Sequence, residues 1–151
     1  MAISCRVTRG DLTESIHVAF AVAVDKNGQI FFSSGDPNYL TCIRSSLKPF
    51  QAAASIKAGA VDSVKFSDEE IALMCASHQG EQIHTDRVFS MLQKLDLNIE
   101  DYECGAHAPS DKKTRYSLVT ASKSASSIHN NCSGKHAGML ALAKHLGKGI
   151  K

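Results

Sequence analysis

The chain has 151 residues, 43% of them hydrophobic, which is enough to bury one core of ordinary size. Its formal net charge is only +2 and its lysines and arginines form no dense cluster, so no nucleic-acid partner is predicted. No apolar run approaches bilayer-spanning length and the first residues lack the layout of a signal peptide, so no membrane partner is predicted either.

The predicted elements begin with strands. Residues 3–8 can form a first strand, and residues 16–24 alternate apolar and small or polar positions as a half-buried strand does. Asp25-Lys26-Asn27-Gly28 then predicts a hairpin turn, with residues 29–33 as the returning strand. This first third of the chain is therefore expected to be antiparallel.

Helices are predicted in the rest of the chain. Pro49, which is tolerated in a first helical turn, places a helix start at Ser45 or Ser46 and Gly59 marks its end. Ser67 and Glu70 form a capping box for a second helix. Two more helices are expected over residues 86–95 and 133–145, with residues 105–127 mostly loop. Strands followed by helices predict an α+β fold.

Five cysteines, at positions 5, 42, 75, 104 and 132, are spread along the chain without a C-x-x-C pair. An odd number of widely spaced cysteines is typical of reduced thiols rather than of a disulfide framework. A cytoplasmic location is therefore expected.

Ser45 and Lys48 form the most informative motif. Residues three apart on a helix lie on one face, about 5–6 Å apart at Cβ. A lysine held neutral at that distance could take the serine proton, as in S-x-x-K acyl transferases. A capping serine beside a solvated lysine has the same spacing, so the motif alone leaves both interpretations open.

Two further clusters carry polar chemistry. Ala76-Ser77-His78-Gln79-Gly80-Glu81 ends a helix at a glycine, where side chains can point into a cleft or simply into water. Asn130-Asn131-Cys132-Ser133-Gly134-Lys135-His136 places a cysteine at a helix start, where a thiolate is favoured and could bind zinc. A capped helix with a buried free cysteine is the alternative there.

Taken together, four blocks resemble one family in order and in register: Arg9-Gly10 with Glu14-Ser15-x-His17, Arg44-Ser45-Ser46-x-Lys48-Pro49-Phe50-Gln51, Ala76-Ser77-His78-x-Gly80-Glu81, and Asn131-Cys132-Ser133-Gly134-Lys135-His136. The resemblance is to the L-asparaginase family of the rhizobial type, called class 3 or asparaginase II, and runs from about residue 6 to residue 147.

This resemblance implies an amidohydrolase that converts L-asparagine to L-aspartate and ammonia, with a fold similar to serine β-lactamases and penicillin-binding proteins. By the same resemblance Ser45 is the nucleophile, Lys48 its partner, and Ser77 the serine of a second serine–lysine pair. Arg44 and His136 are expected to hold the charged groups of the substrate.

The resemblance further implies zinc as a cofactor, with Cys132 and Lys135 as two of its ligands, and a homodimer. Chains of the family continue past the position of Lys151, and the lysine partner of Ser77 and a further cysteine ligand lie in that later part. Residues 1–151 are therefore interpreted as the N-terminal portion of an asparaginase-like domain, with an incomplete fold and its C-terminal half as a possible partner.

Two other classes stay open. A penicillin-recognising serine acyltransferase shares the S-x-x-K step, although Ser110-Asp111-Lys112 and Lys113-Thr114-Arg115 match its S-D-N and K-T-G elements imperfectly. An inactive fragment that only binds a partner, such as its own missing half, is the other.

Overall fold

The computed structural model describes residues 1–150 and divides into two compact units, residues 1–42 and a second unit that begins at Ile43. The described residues form four strands, paired as two antiparallel ladders, and six α-helices. The α+β class predicted from the sequence is therefore confirmed. Within residues 1–150, no helix has both the length and the apolar character needed to cross a membrane.

The first unit consists of two hairpins. Strand β1 (Ile3–Arg9) pairs with β2 (Leu12–Ala19), and β3 (Ala21–Val24) pairs with β4 (Ile30–Ser34). The prediction of a single strand over residues 16–24 is wrong, because the strand is interrupted at Phe20.

The Phe20 ring, between β2 and β3, packs against two residues of the same unit. It stacks on Tyr39 with the ring centroids 4.4 Å apart, and it packs so closely on Gly35 that a Cβ there would collide with it. The predicted turn at residues 25–28 is confirmed: the Asp25 carboxylate accepts the backbone N–H groups of Asn27 and Gln29, each at 2.8 Å. Side-chain capping of this kind is what makes aspartate a turn residue.

The second unit is helical and packs around its last helix. The six helices are α1 (Lys48–Lys57), α2 (Ala60–Ser63), α3 (Asp68–Cys75), α4 (Gln82–Lys94), α5 (Lys112–Thr120) and α6 (Ser133–His145). Helix α6 contacts α1, α2, α3 and α4. The core between them contains Leu73, Met74, Val88, Met91 and Leu92, all buried.

Small residues let α6 approach its neighbours. Gly134, Ala137, Gly138 and Ala141 are all buried on this helix. A Cβ on Gly134 would lie 2.6 Å from the carbonyl oxygen of Leu73, closer than any side chain could be accommodated without a shift. The end of α3 is therefore held against the start of α6, which sets the geometry of the site described below.

Several helix predictions are confirmed. The Ser67–Glu70 capping box is present, with the Glu70 carboxylate accepting the Ser67 N–H at 2.8 Å, and α6 spans the predicted residues 133–145. Gly59 follows the end of α1 with a φ of +80°, a left-handed conformation that glycine adopts at little cost.

Three helix predictions need correction. Residues 44–47 form a 3-10 turn, so α1 begins at Lys48 rather than at Ser45 or Ser46. Helix α4 begins at Gln82 rather than at residue 86. The prediction missed its first turn because that turn is mostly exposed and carries no apolar pattern. Helix α5 lies in the segment predicted as loop; none of its residues is buried, so it gave no amphipathic signal.

Candidate active site

The three side chains predicted as catalytic meet in one chain of hydrogen bonds. The Lys48 Nζ lies 2.7 Å from the Ser77 Oγ, and the Ser77 Oγ lies 3.0 Å from the Ser45 Oγ. Ser77 therefore stands between the lysine and the other serine. The sequence spacing had predicted a direct Ser45–Lys48 pair, and the structure places a second hydroxyl between them instead.

Lys48 is buried, with 2% of its surface exposed, although it carries an ionisable amine. Besides Ser77, its Nζ donates to the carbonyl oxygens of Ala76, at 2.6 Å, and Asn131, at 3.5 Å. No carboxylate forms an ion pair with it among residues 1–150. The amine is thus held entirely by uncharged oxygens.

The backbone that holds Ser45 is unusual. Ser45 lies in the 3-10 turn that precedes α1, and the residue before it, Arg44, has a φ of +49°. Left-handed backbone at a non-glycine residue is uncommon and is often found at functional sites. The turn leaves the Ser45 side chain exposed, while Lys48 one turn later points into the interior.

Ser77 is placed by the chain on either side of it. Helix α3 ends at Cys75, and Ala76 is extended, with φ −87° and ψ 156°. The backbone N–H of His78 then donates to the Asn131 carbonyl at 3.2 Å. Segment 76–80, which follows α3, is in this way paired with the residues that precede α6.

Ser45 and Lys48 line an open cavity of about 330 Å³, within the size range of small-molecule sites. Its other lining residues are Arg44, Leu47, Gln51, Cys132 and Lys135. Three of the seven side chains are basic and none is acidic, so the cavity suits a ligand with a negatively charged group. The two predicted zinc ligands and one of the two predicted substrate-binding residues are therefore beside the nucleophile.

Ser77 also lines a second cavity, of about 510 Å³, and two carboxylate side chains line the same cavity. Its polar lining includes His78, His84, Glu69 and Glu81. The hydroxyl pair Ser45–Ser77 thus lies between a basic cavity and one with acidic groups.

His136, the other residue expected to hold substrate, lines a different cavity. That cavity, of about 340 Å³, also contains Tyr102 and Cys104, and the Tyr102 and His136 rings meet edge to face at 6.2 Å. The His136 Nδ1 is buried without a hydrogen-bond partner. Burial lowers its pKa, and the nearby charges of Lys135 and Lys48 lower it further. Its role toward substrate stays a prediction.

The predicted zinc ligands are one helical turn apart at the start of α6, and both face the Ser45 cavity. Burial raises the pKa of the nearby Cys104 thiol, and Cys132 raises it slightly further while Lys135 lowers it. Within residues 1–150 no three His, Cys, Asp or Glu side chains are arranged to hold a metal. Zinc sites in proteins use three or four protein ligands, so Cys132 and Lys135 do not make a complete site.

His78 is the site residue for which the sequence analysis proposed no role. It is buried, and its ring is bonded on both sides, as detailed below. Gln51 also lines the Ser45 cavity, and no role was predicted for it from the sequence. Arg44, Lys48 and Gln51 are spaced like residues on one face of a helix, and this spacing could have identified it.

The folded chain is expected to lose stability as the pH falls from about 6.5 to 4. Burial, followed by the charges of neighbouring His84 and Lys48, lowers the pKa of His78 from 6.5 to about 4. Between these pH values the His78 side chain is therefore protonated in the unfolded chain and neutral in the folded chain. The lowered pKa values of His129 and His136 act in the same direction. His78 alone can account for up to about 3 kcal/mol of this loss.

Urea unfolding at pH 7.0 and pH 4.5 measures the effect. In His78→Gln, which cannot be protonated, the difference in unfolding free energy between the two pH values should shrink. An equal difference in both proteins would contradict the assignment of this loss to His78.

A serine hydroxyl linked to a buried lysine at the edge of a basic cavity is the kind of site found in enzymes that use a serine nucleophile. The chain belongs to the L-asparaginase II family, whose model matches residues 5–151. Membership places the chain in a family of hydrolases. No curated protein matches the chain.

Proposed function

We propose that this chain hydrolyses the side-chain amide of L-asparagine to L-aspartate and ammonia, with Ser45 as the nucleophile. The observation that carries the proposal is the unbroken hydrogen-bond chain from Ser45 through Ser77 to the buried Lys48, opening into a basic cavity. Membership of the L-asparaginase II family supplies the substrate class.

The proton path follows from the order of these groups. With Lys48 as a neutral amine, two of its N–H bonds can be used by the carbonyls of Ala76 and Asn131, which leaves its lone pair facing the Ser77 hydroxyl. Ser45 Oγ attacks the amide carbon and gives its proton to Ser77, while the Ser77 proton passes to Lys48. Hydroxyl hydrogens rotate freely enough to reverse the direction of both bonds.

The same path returns the proton. When the C–N bond breaks, Lys48 gives its proton to Ser77, and Ser77 gives its own to the departing nitrogen, which leaves as ammonia. A water molecule then attacks the Ser45 ester and gives a proton through Ser77 to Lys48. When the C–Oγ bond breaks, Lys48 returns this proton through Ser77 to the Ser45 oxygen, and L-aspartate is released. General acid–base assistance of this kind is typically worth about 10²–10⁴-fold in rate.

The basic cavity supports an amino-acid substrate. Arg44 is the cationic side chain beside Ser45 that is neither part of the proton path nor a predicted zinc ligand. An α-carboxylate bound to it would leave the side-chain amide near Ser45. His136 stays a candidate for the same task.

Ammonia release from L-asparagine, with L-glutamine and D-asparagine as comparison substrates, tests the activity. We expect ammonia and L-aspartate in equal amounts from L-asparagine. Absence of both products at high enzyme concentration would refute the proposed function for this chain.

Zinc is a separate proposal from the family resemblance. Cys132 and Lys135 would supply a thiolate and an amine, and zinc bound there would act as a Lewis acid or order the substrate site. Because two donors fall short of a complete site, no step is assigned to the metal. Cys132→Ser should lower zinc binding in a competition assay with a chromogenic chelator; unchanged binding would remove Cys132 from the ligand set.

The penicillin-recognising alternative has less support. Asp111, which stood in its imperfect S-D-N match, caps α5 by accepting the Thr114 N–H at 2.6 Å. It lines a separate cavity with Glu81, Lys113 and Thr114 rather than the Ser45 cavity. Similarity of the fold to serine β-lactamases, a homodimer and a cytoplasmic location stay predictions from the sequence.

A further inference from the structure

His78 is the most completely bonded polar side chain next to the proposed machinery. Its exposed fraction is 5%, its Nδ1 accepts the Gly80 N–H at 3.1 Å, and its Nε2 lies 2.8 Å from the Ser133 Oγ. A ring nitrogen that accepts from a backbone N–H carries no proton, so the hydrogen is on Nε2 and is donated to Ser133. The Ser133 hydroxyl in turn donates a hydrogen bond to the Ile128 carbonyl oxygen at 3.0 Å.

We propose that His78 is a positioning residue: its neutral Nε2–H imidazole fastens segment 76–80 to the start of α6 and thereby holds Ser77 between Ser45 and Lys48. The inference deepens the proposed function and rests on it for its catalytic meaning. Its structural content, a fixed tautomer that controls the Ser77 side chain, can be tested without any turnover.

The anchoring of Ser77 comes from its two neighbours. On one side the Ala76 carbonyl accepts from Lys48, and on the other the His78 backbone donates to Asn131. The Ser77 side chain is itself exposed, so no surrounding wall holds it in place. The His78 ring adds the contact that reaches furthest along the chain, 55 residues away at Ser133.

The surroundings of the ring favour its neutral form. Burial is the largest influence that lowers the pKa of the ring, followed by the electrostatic effects of His84, Lys48, His107 and His129. The His84 ring also stacks on it, with the ring centroids 5.1 Å apart. Glu69 and Glu81, which border the same cavity, are the acidic groups on this side. A proton on Nδ1 would face the Gly80 N–H, donor against donor, and this hydrogen bond would be lost.

Two substitutions separate the effects of the two hydrogen bonds made by the His78 ring. His78→Asn can keep an acceptor for the Gly80 N–H but is too short to reach Ser133. His78→Gln places an amide N–H where Nε2 was and can keep the bond to Ser133. If the bond to Ser133 positions Ser77, His78→Gln should rescue what His78→Asn loses.

The first readout is independent of activity. In the full chain labelled with ¹⁵N and ¹³C, the His78 ring should show the Nε2–H tautomer from pH 5 to 8, and the Ser77 Cβ signal should move in His78→Asn but not in His78→Gln. A ring that is Nδ1–H or titrates near pH 6.5, or a Ser77 signal that stays in place in His78→Asn, would overturn the proposal whether or not the chain releases ammonia.

The second readout is the split between kcat and KM for L-asparagine. We expect kcat to fall about 30–100-fold in His78→Asn and less than about fivefold in His78→Gln, with KM nearly constant, because small misplacements of reacting groups cost this much. Equal losses in both variants with a parallel rise in KM would also overturn it. If the spectra behave as expected and the parent releases no ammonia, the positioning stands and the proposed function fails.

Discussion

Replacing Ser45 with alanine is expected to lower ammonia release from L-asparagine by about 10⁴-fold or more. Loss of a catalytic serine removes the covalent route, and the remaining groups then act only on bound substrate and water. Ser45 is exposed and, within residues 1–150, its hydroxyl bonds only to Ser77, so the substitution leaves the core untouched. Initial rates measured at saturating L-asparagine, with circular dichroism to verify folding, provide the test.

The chain offers a matched control at the next position. Ser46 is also an exposed serine of the 3-10 turn, but its backbone N–H is bonded to Ile43 and its hydroxyl is not part of the chain to Lys48. Ser46→Ala should keep the parental rate within about twofold, as exposed substitutions away from special features usually do. A common loss in both variants would point to the turn rather than to the Ser45 hydroxyl.

Ser77→Ala distinguishes a relay from a nucleophile. It breaks the path between Ser45 and Lys48 but keeps the attacking hydroxyl, so an intermediate loss of about 10²–10⁴ is expected. The roles would have to be exchanged if Ser45→Ala kept a tenth of the parental rate while Ser77→Ala abolished turnover.

Features set by neighbours in the chain could be predicted from the sequence. The Ser67 cap is bonded to Glu70, three residues away, and the Asp25 turn is closed by Asn27 and Gln29. Interactions of this range depend on residue type and spacing alone, so a pattern identifies them. The boundaries of α6 belong to the same group.

The bridging position of Ser77 could not be predicted this way. It depends on contacts of the Ser77 hydroxyl with Lys48 and Ser45, which lie 29 and 32 positions earlier in the chain, and on the packing of α3 against α1. Spacing along a helix predicted a direct Ser45–Lys48 pair, but it has no information about a side chain from another segment, and the Ser77 hydroxyl lies between the two. Helix α5 was missed because none of its residues is buried, so it has no buried face whose apolar period could be detected.

Replacing Lys48 with methionine is expected to lower kcat about 10²–10⁴-fold, because the end point of the proton path is lost. Methionine has nearly the same length, so the buried space stays filled. The carbonyls of Ala76 and Asn131 lose a donor each, which should reduce the free energy of unfolding by about 1–3 kcal/mol. Stopped assays for ammonia and urea unfolding measure the two effects separately. Lys57→Met, at the exposed end of the same helix, is the control and should change neither.

Lys48→Arg separates the charge of this residue from its ability to release a proton. A guanidinium keeps the positive charge and the donors but does not lose its proton in proteins. If Lys48 serves as a base, the arginine variant should be as inactive as the methionine variant although its charge is retained. If Lys48 only supplies a charge to the cavity, the arginine variant should recover at least a tenth of the parental kcat. That recovery would remove the proton path through Ser77 from the mechanism and leave Ser45 to be activated by some other group.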